Sequence, residues 1–123
     1  MNISKFTQKS VQAVQDLEKV AYEYGNQEIE QEHLLYTLLT QEDSLILKLI
    51  EKMEINKDYF VDTVKKALDA KVKVSGGELR FGQYLNKALV NAEDEAKAMG
   101  DEYVSVEHLF LALLKYPSPS MKK

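Results

Sequence analysis

Two dipeptides in this chain invite a chemical reading, Glu32-His33 and Glu107-His108, and between them they hold both of its histidines. A carboxylate beside an imidazole suggests acid/base work or a metal site. On a helix, however, consecutive side chains point about 100° apart, so the members of one pair cannot converge on one atom. The reading that fits the spacing is a Glu that favours the dipole at a helix start and a His that hydrogen-bonds locally. A metal would need ligands from elsewhere, and with no Cys there is neither a thiolate site nor a disulfide framework. No catalytic residue and no metal ligand is expected. A P-loop needs a Gly-rich turn running into Lys and Ser/Thr, whereas Gly76-Gly77 runs into Glu78-Leu79. Neither a Gly-x-Ser-x-Gly elbow nor a His-Glu-x-x-His helix occurs. The chain is expected to hydrolyse no ATP and to need no cofactor of its own.

What positions these dipeptides is a duplication. Sliding the chain by 75 residues lays Phe6 to Leu39 over Phe81 to Leu114 without a gap, with 11 of 34 positions identical. The matches are Phe6/Phe81, Gln8/Gln83, Ala13/Ala88, Glu18/Glu93, Ala21/Ala96, Gly25/Gly100, Glu32/Glu107, His33/His108, Leu34/Leu109, Leu38/Leu113 and Leu39/Leu114. One supersecondary unit has been copied, and its copies are expected to stack. In each, apolar residues at helical spacing predict a first helix, Thr7 to Tyr24 and its counterpart, closed by Gly25 or Gly100 in a left-handed cap. A second helix follows, Glu30 to about Gln41 and Ser105 to about Lys115, with Ser105 as N-cap and Ile29 and Val104 anchoring the approach. Copy one continues with Leu45 to Met53, then Asn56 as the cap of a fourth helix through Tyr59, Phe60, Val64 and Leu68. Copy two reaches only Ser118-Pro119, an N-cap and first helical residue. The prediction is an all-α fold in one domain, 1–123: repeat one over 6–68, a mobile linker over 69–79 holding Gly76-Gly77, and a shortened repeat two over 80–123. Two helices plus a stub in repeat two should leave open apolar surface that the absent helix pair would cover, and imply a longer parent chain.

At 123 residues the chain can bury a core without staples. Its net charge of −4 argues against nucleic acid, and the Lys-rich stretch from Lys65 to Lys73 is interrupted by Asp69. No stretch approaches the roughly 18 apolar residues of a membrane span, and the N-terminus lacks a signal-peptide pattern. A soluble, cytoplasmic protein is expected.

The run Asn26-Gln27-Glu28-Ile29-Glu30-Gln31-Glu32-His33-Leu34-Leu35, preceded by Lys5-Phe6-Thr7, has its echo in Gly100-Asp101-Glu102-Tyr103-Val104-Ser105-Val106-Glu107-His108-Leu109. This wording resembles the N-terminal domain of Clp-type AAA+ ATPases, most of all the ClpB disaggregase branch, with the ClpC protease-unfoldase branch second. The resemblance implies two pseudo-symmetric four-helix repeats, tethered to a hexameric ATPase ring, that capture unfolded or aggregated polypeptides or adaptors. It also implies site residues. In the ClpC branch the counterparts of Glu32, Glu107 and Thr7 receive phosphorylated arginine. In ClpB-like domains the counterparts of Thr7, Asp101 and Glu107 are linked to aggregated substrates. Gly82 stands where copy one has Thr7, so the two pockets cannot be equal.

From the residues alone, each of these also has a capping or solvated-turn role open to it. The apolar stripe is mostly core. The seam between the two first helices is the expected receptor groove, with Tyr84 beside it as an amphipathic lining residue. The expected function is substrate or adaptor recognition for an ATP-dependent disaggregase, without enzymatic activity in this chain and with ATP and the hexamer belonging to the parent. The alternatives are an adaptor- or phosphoarginine-binding domain of a ClpC-type unfoldase and a stand-alone helical scaffold.

Overall fold

The computed structural model of the protein describes residues 3–74 and 78–122. Its helices are α1 (Gln8–Glu23), α2 (Gln31–Thr40), α3 (Leu45–Lys52), α4 (Lys57–Asp69), α5 (Gln83–Ala98) and α6 (Val106–Lys115), followed by a 3₁₀ turn at Pro119–Lys122. Four helices thus belong to the first copy and two with a turn to the second. Each boundary has a chemical cause. The Thr7, Ser44 and Asn56 side chains accept the backbone N–H groups of Ser10, Leu47 and Tyr59, which a helix start leaves unpaired.

At the other ends of α1 and α5, Gly25 and Gly100 take φ of 70° and 72°. Asn26 N–H then reaches back to Ala21 O at 2.9 Å and Asp101 N–H to Ala96 O at 2.8 Å. The two chain reversals are built alike, and both need a residue without Cβ penalty at that φ.

The copies are interlocked by pairings that helical periodicity could not announce. Strand β1 (Glu28–Ile29) lies parallel to β2 (Arg80–Phe81), and Phe6 bridges Val104 in the same sense. The 75-residue shift maps one pairing onto the other. Thr7 N–H donates to Val104 O at 3.0 Å and Gly82 N–H to Ile29 O at 2.8 Å, so each copy's first helix starts on the partner copy's loop.

This arrangement corrects the expected seam. The dyad runs between α2 and α6: α1 packs mainly on α2 and α5 mainly on α6, each with a smaller contact across to the other copy, while α1 and α5 make little contact with each other. The reason is burial: α2 is buried around most of its circumference, from Gln31 to Leu35 and again from Thr37 to Leu39, as a central helix must be. The core around it includes Leu17, Ile29, Leu34, Leu38, Ile46, Leu85, Leu89 and Leu109.

The stretch expected to be a mobile linker is tied down as far as Val74. Val74 N–H donates to Gly25 O at 2.9 Å and the Asn26 amide to Val72 O at 3.0 Å. Gly76-Gly77 lie outside the described residues.

Candidate functional site

Both histidines close loops, in the same way. Glu30 N–H donates to His33 Nδ1 at 2.8 Å, and Ser105 N–H donates to His108 Nδ1 at 2.9 Å. An accepting Nδ1 leaves the proton on Nε2. That nitrogen reaches Asn26 Oδ1 at 3.0 Å in copy one and Asp101 Oδ2 at 2.9 Å in copy two. Each ring therefore clasps the turn after the glycine cap to the start of the next helix. Burial, and then the Lys71 ammonium, push His33 from its ordinary 6.5 down to about 4, partly offset by Glu32. Both ring nitrogens of each histidine are thus engaged within its own loop, the Ser105 hydroxyl also lying 3.1 Å from His108 Nδ1, and among the described residues no group of three acidic or imidazole side chains could hold a metal.

The five residues singled out in the sequence fall into two dyad-related groups. Thr7, Asp101 and Glu107 surround the start of α6. Thr7 caps α1, with its hydroxyl bonded to Ser10, and Asp101 holds His108. Glu107 is exposed in the first turn of α6. Glu32 and Tyr84 lie at the other end of the dyad, and there the copies part.

Glu32 is only 4% exposed. Its Oε2 accepts the Ser120 hydroxyl at 2.6 Å, and its Oε1 faces the Lys71 ammonium at 3.3 Å without a hydrogen-bond donor of its own. Lys71 also pairs with Glu30 at 3.0 Å. The residue 75 positions before Ser120 is Leu45, which has no hydroxyl to offer Glu107. Tyr84 lies in the first turn of α5, beside a small hollow that it shares with Gln31 and Ser118. Its carbonyl accepts from the Gln31 amide, and its ring lies 5.8 Å from Lys87 Nζ.

Apolar surface is open where α4 and α6 face each other. Leu39 is 2% exposed, whereas its counterpart Leu114 is 59% exposed. The cause is that α4 covers α2, burying Val64 and Leu68, and among the described residues nothing lies on α6 in the same way. The result is a groove of about 260 Å³ lined by Leu35, Phe60, Val64, Phe110, Leu113 and Leu114, with Glu32 and Met121 at one end. A larger hollow of about 410 Å³ beside β1 is mixed in character, with Ala70, Val72 and Val74 beside charged residues that are paired: Lys71 with Glu30, and Arg80 3.8 Å from Glu28. The α4–α6 groove is the more apolar of the two, and its surface would gain more from being taken out of water. Sequence reasoning missed its α4 wall. Helical spacing puts Phe60 and Val64 on the apolar stripe of α4, and Val64 is indeed core, but spacing cannot tell a stripe that is wholly covered from one that also walls a groove.

The sequence profile of the Clp repeat N-terminal domain matches residues 5–122. The chain belongs to the Clp N-terminal domain family. Among its relatives is the chaperone protein ClpB of Nitratidesulfovibrio vulgaris, 37% identical over 126 residues, which covers 98% of this chain but 15% of that protein. The chain thus spans about a seventh of that relative's length, and the matched part is the N-domain alone.

The fold of this Clp N-domain is shared with the N-terminal domain of Hsp104 from Candida albicans, at a TM-score of 0.84 and 21% identity, over 96% of this chain and 77% of that one. It is shared too with a ClpV N-domain solved in complex with a VipB peptide, at a TM-score of 0.75 and 21% identity, over 97% of this chain and 76% of that one. Among the described residues no helix is long and apolar enough to cross a membrane.

Proposed function

We propose that this Clp N-domain is the polypeptide-recognition module of an ATP-dependent disaggregase, receiving unfolded or aggregated segments in the groove between α4 and α6. The observation that carries the reading is the groove itself, an open channel with mostly apolar walls beside the exposed Leu114. ClpB relatives support the disaggregase branch, and the peptide complex of a ClpV N-domain supports a peptide as occupant. Shallow apolar contact suits many sequences at modest affinity, and a hexameric parent would present six copies, raising the effective concentration. ATP hydrolysis and ring assembly belong in this reading to the parent's ATPase modules, in the cytoplasm.

The test is fluorescence anisotropy with a labelled, reduced and carboxymethylated protein that cannot fold. Leu114→Asp should weaken binding by about tenfold or more, from lost apolar burial and a carboxylate with no partner. Unchanged affinity in a folded Leu114→Asp protein overturns the reading.

One observation favours a second site. Glu107, exposed beside the Thr7 cap, keeps a free carboxylate for an arginine-bearing adaptor or a phosphoarginine, with Asp101 close by in the loop. Its counterpart Glu32 does not offer the same, being covered by Ser120 and Lys71. Calorimetry with free arginine phosphate against Glu107→Ala tests this, and absence of heat at millimolar ligand ends it.

A further inference from the structure

The turn after α6 is held down by two adjacent side chains of α2. Gln31, 1% exposed, spends its whole amide there: Nε2 donates to Tyr116 O at 3.1 Å as well as to Tyr84 O at 3.0 Å, and Oε1 accepts Ser118 N–H at 2.8 Å. Glu32 Oε2 takes the Ser120 hydroxyl at 2.6 Å. The points held are residues 116, 118 and 120, alternate positions along the chain. Met121 then packs against the core and lines the same end of the groove as Glu32.

We propose that residues 116–121 are a strap that keeps the α4–α6 groove part-filled, with Met121 standing in for a client side chain, so that polypeptide must displace the strap to bind. The proposal rests on the reading that this groove receives polypeptide.

Three features make the strap displaceable. It runs from the α6 C-cap at Tyr116 into a single 3₁₀ turn, with Tyr116, Pro119 and Ser120 exposed and its one groove-facing apolar side chain half-buried, which places its opening at the low end of local stability. Methionine is unbranched and adaptable, so Met121 fills the groove end without a fixed shape. Release also strands nothing charged: Glu32 keeps the Lys71 ammonium at 3.3 Å. The Gln31 amide, freed of Tyr116 and Ser118, offers one donor and one acceptor, the pair that an extended backbone satisfies. A client would thus repeat the strap's own contacts, a peptide group on Gln31 and an apolar side chain in the place of Met121.

Ser120→Glu sets a second carboxylate against Glu32 at the groove's end and should open the strap while leaving the apolar walls on α4 and α6 in place. Two quantities are read on the full chain, the ¹³C-methyl resonance of Met121 and the affinity for the reduced, carboxymethylated protein. The resonance should move to its solvent-exposed position and binding should tighten about tenfold, as when a competent fraction near one tenth becomes nearly complete. Met121→Ser, which empties the groove end without new charge, should tighten binding in the same direction. An exposed Met121 resonance with unchanged or weakened affinity overturns the strap, as does unchanged affinity in folded Met121→Ser. Absence of binding by the wild type and both variants overturns instead the reading of the groove beneath it.

Discussion

Replacing His33 by Gln should change how the domain's stability depends on pH, by an amount the structure fixes. In the fold His33 is fully buried, its Nδ1 accepts from Glu30 N–H, its Nε2 meets Asn26 Oδ1, and Lys71 stands nearby. Protonation would place a charge in that site and take the lone pair from Glu30 N–H. The group therefore titrates at about 4 in the native state against 6.5 ordinarily. Between those two pH values the unfolded chain binds more protons than the folded one, so stability rises with pH across the window. The contribution is complete above pH 6.5 and is lost as pH falls through 4. At about 1.4 kcal/mol per unit, the shift corresponds to roughly 3 kcal/mol.

Urea unfolding of the wild type and His33→Gln at pH 7, 6, 5 and 4 isolates this residue. The remaining titrating groups are common to both proteins and cancel in the difference. Gln lowers stability by a pH-independent offset through the altered clasp. On top of that offset, the wild type's advantage should shrink by roughly 3 kcal/mol from pH 7 to pH 4. An advantage that stays constant to within about 0.5 kcal/mol across the series would refute the clasp, because it would mean that His33 titrates alike in both states.

Lys71→Met leaves the Glu32 carboxylate buried without its cation and should cost about 3 kcal/mol, with much of the loss recovered when Glu32→Gln is added; simple additivity in urea melts would show the pair to be uncoupled. Gly25→Ala and Gly100→Ala should each cost about 1 kcal/mol because both sit near φ +70°, and Asn at either position should cost less; a melting temperature unmoved by Ala at both would contradict the shared cap.

How much was legible follows the range of each interaction. The caps at Thr7 and Asn56, the glycine reversals and the six helices depend on contacts within a few residues, and the spacing of Thr, Asn, Gly and apolar side chains states them; the Ser44 cap, equally local, was not picked out. The His clasps were half legible. A His three residues into a helix invites a local bond, but that both rings also reach back to Asn26 and Asp101 depends on how the loop folds. The expected seam between α1 and α5 does not form as a packed helix pair, because periodicity reports which face of each helix is apolar and is silent on which apolar faces meet.

The 75-residue repeat, the all-helical class and membership of the Clp N-domain family lie in the sequence, since duplication leaves identical residues at fixed offsets and local chemistry sets the helices. Only the tertiary structure decided that each copy starts its first helix on the other's loop, through Phe6 with Val104 and Phe81 with Ile29. It decided as well that Glu32 is sealed under Lys71 and Ser120 while Glu107 faces water, and that Leu39 is covered while Leu114 is open. These pairs are the same residue in the two copies. Their fates differ because burial belongs to what the rest of the chain brings against a side chain, from tens of residues away.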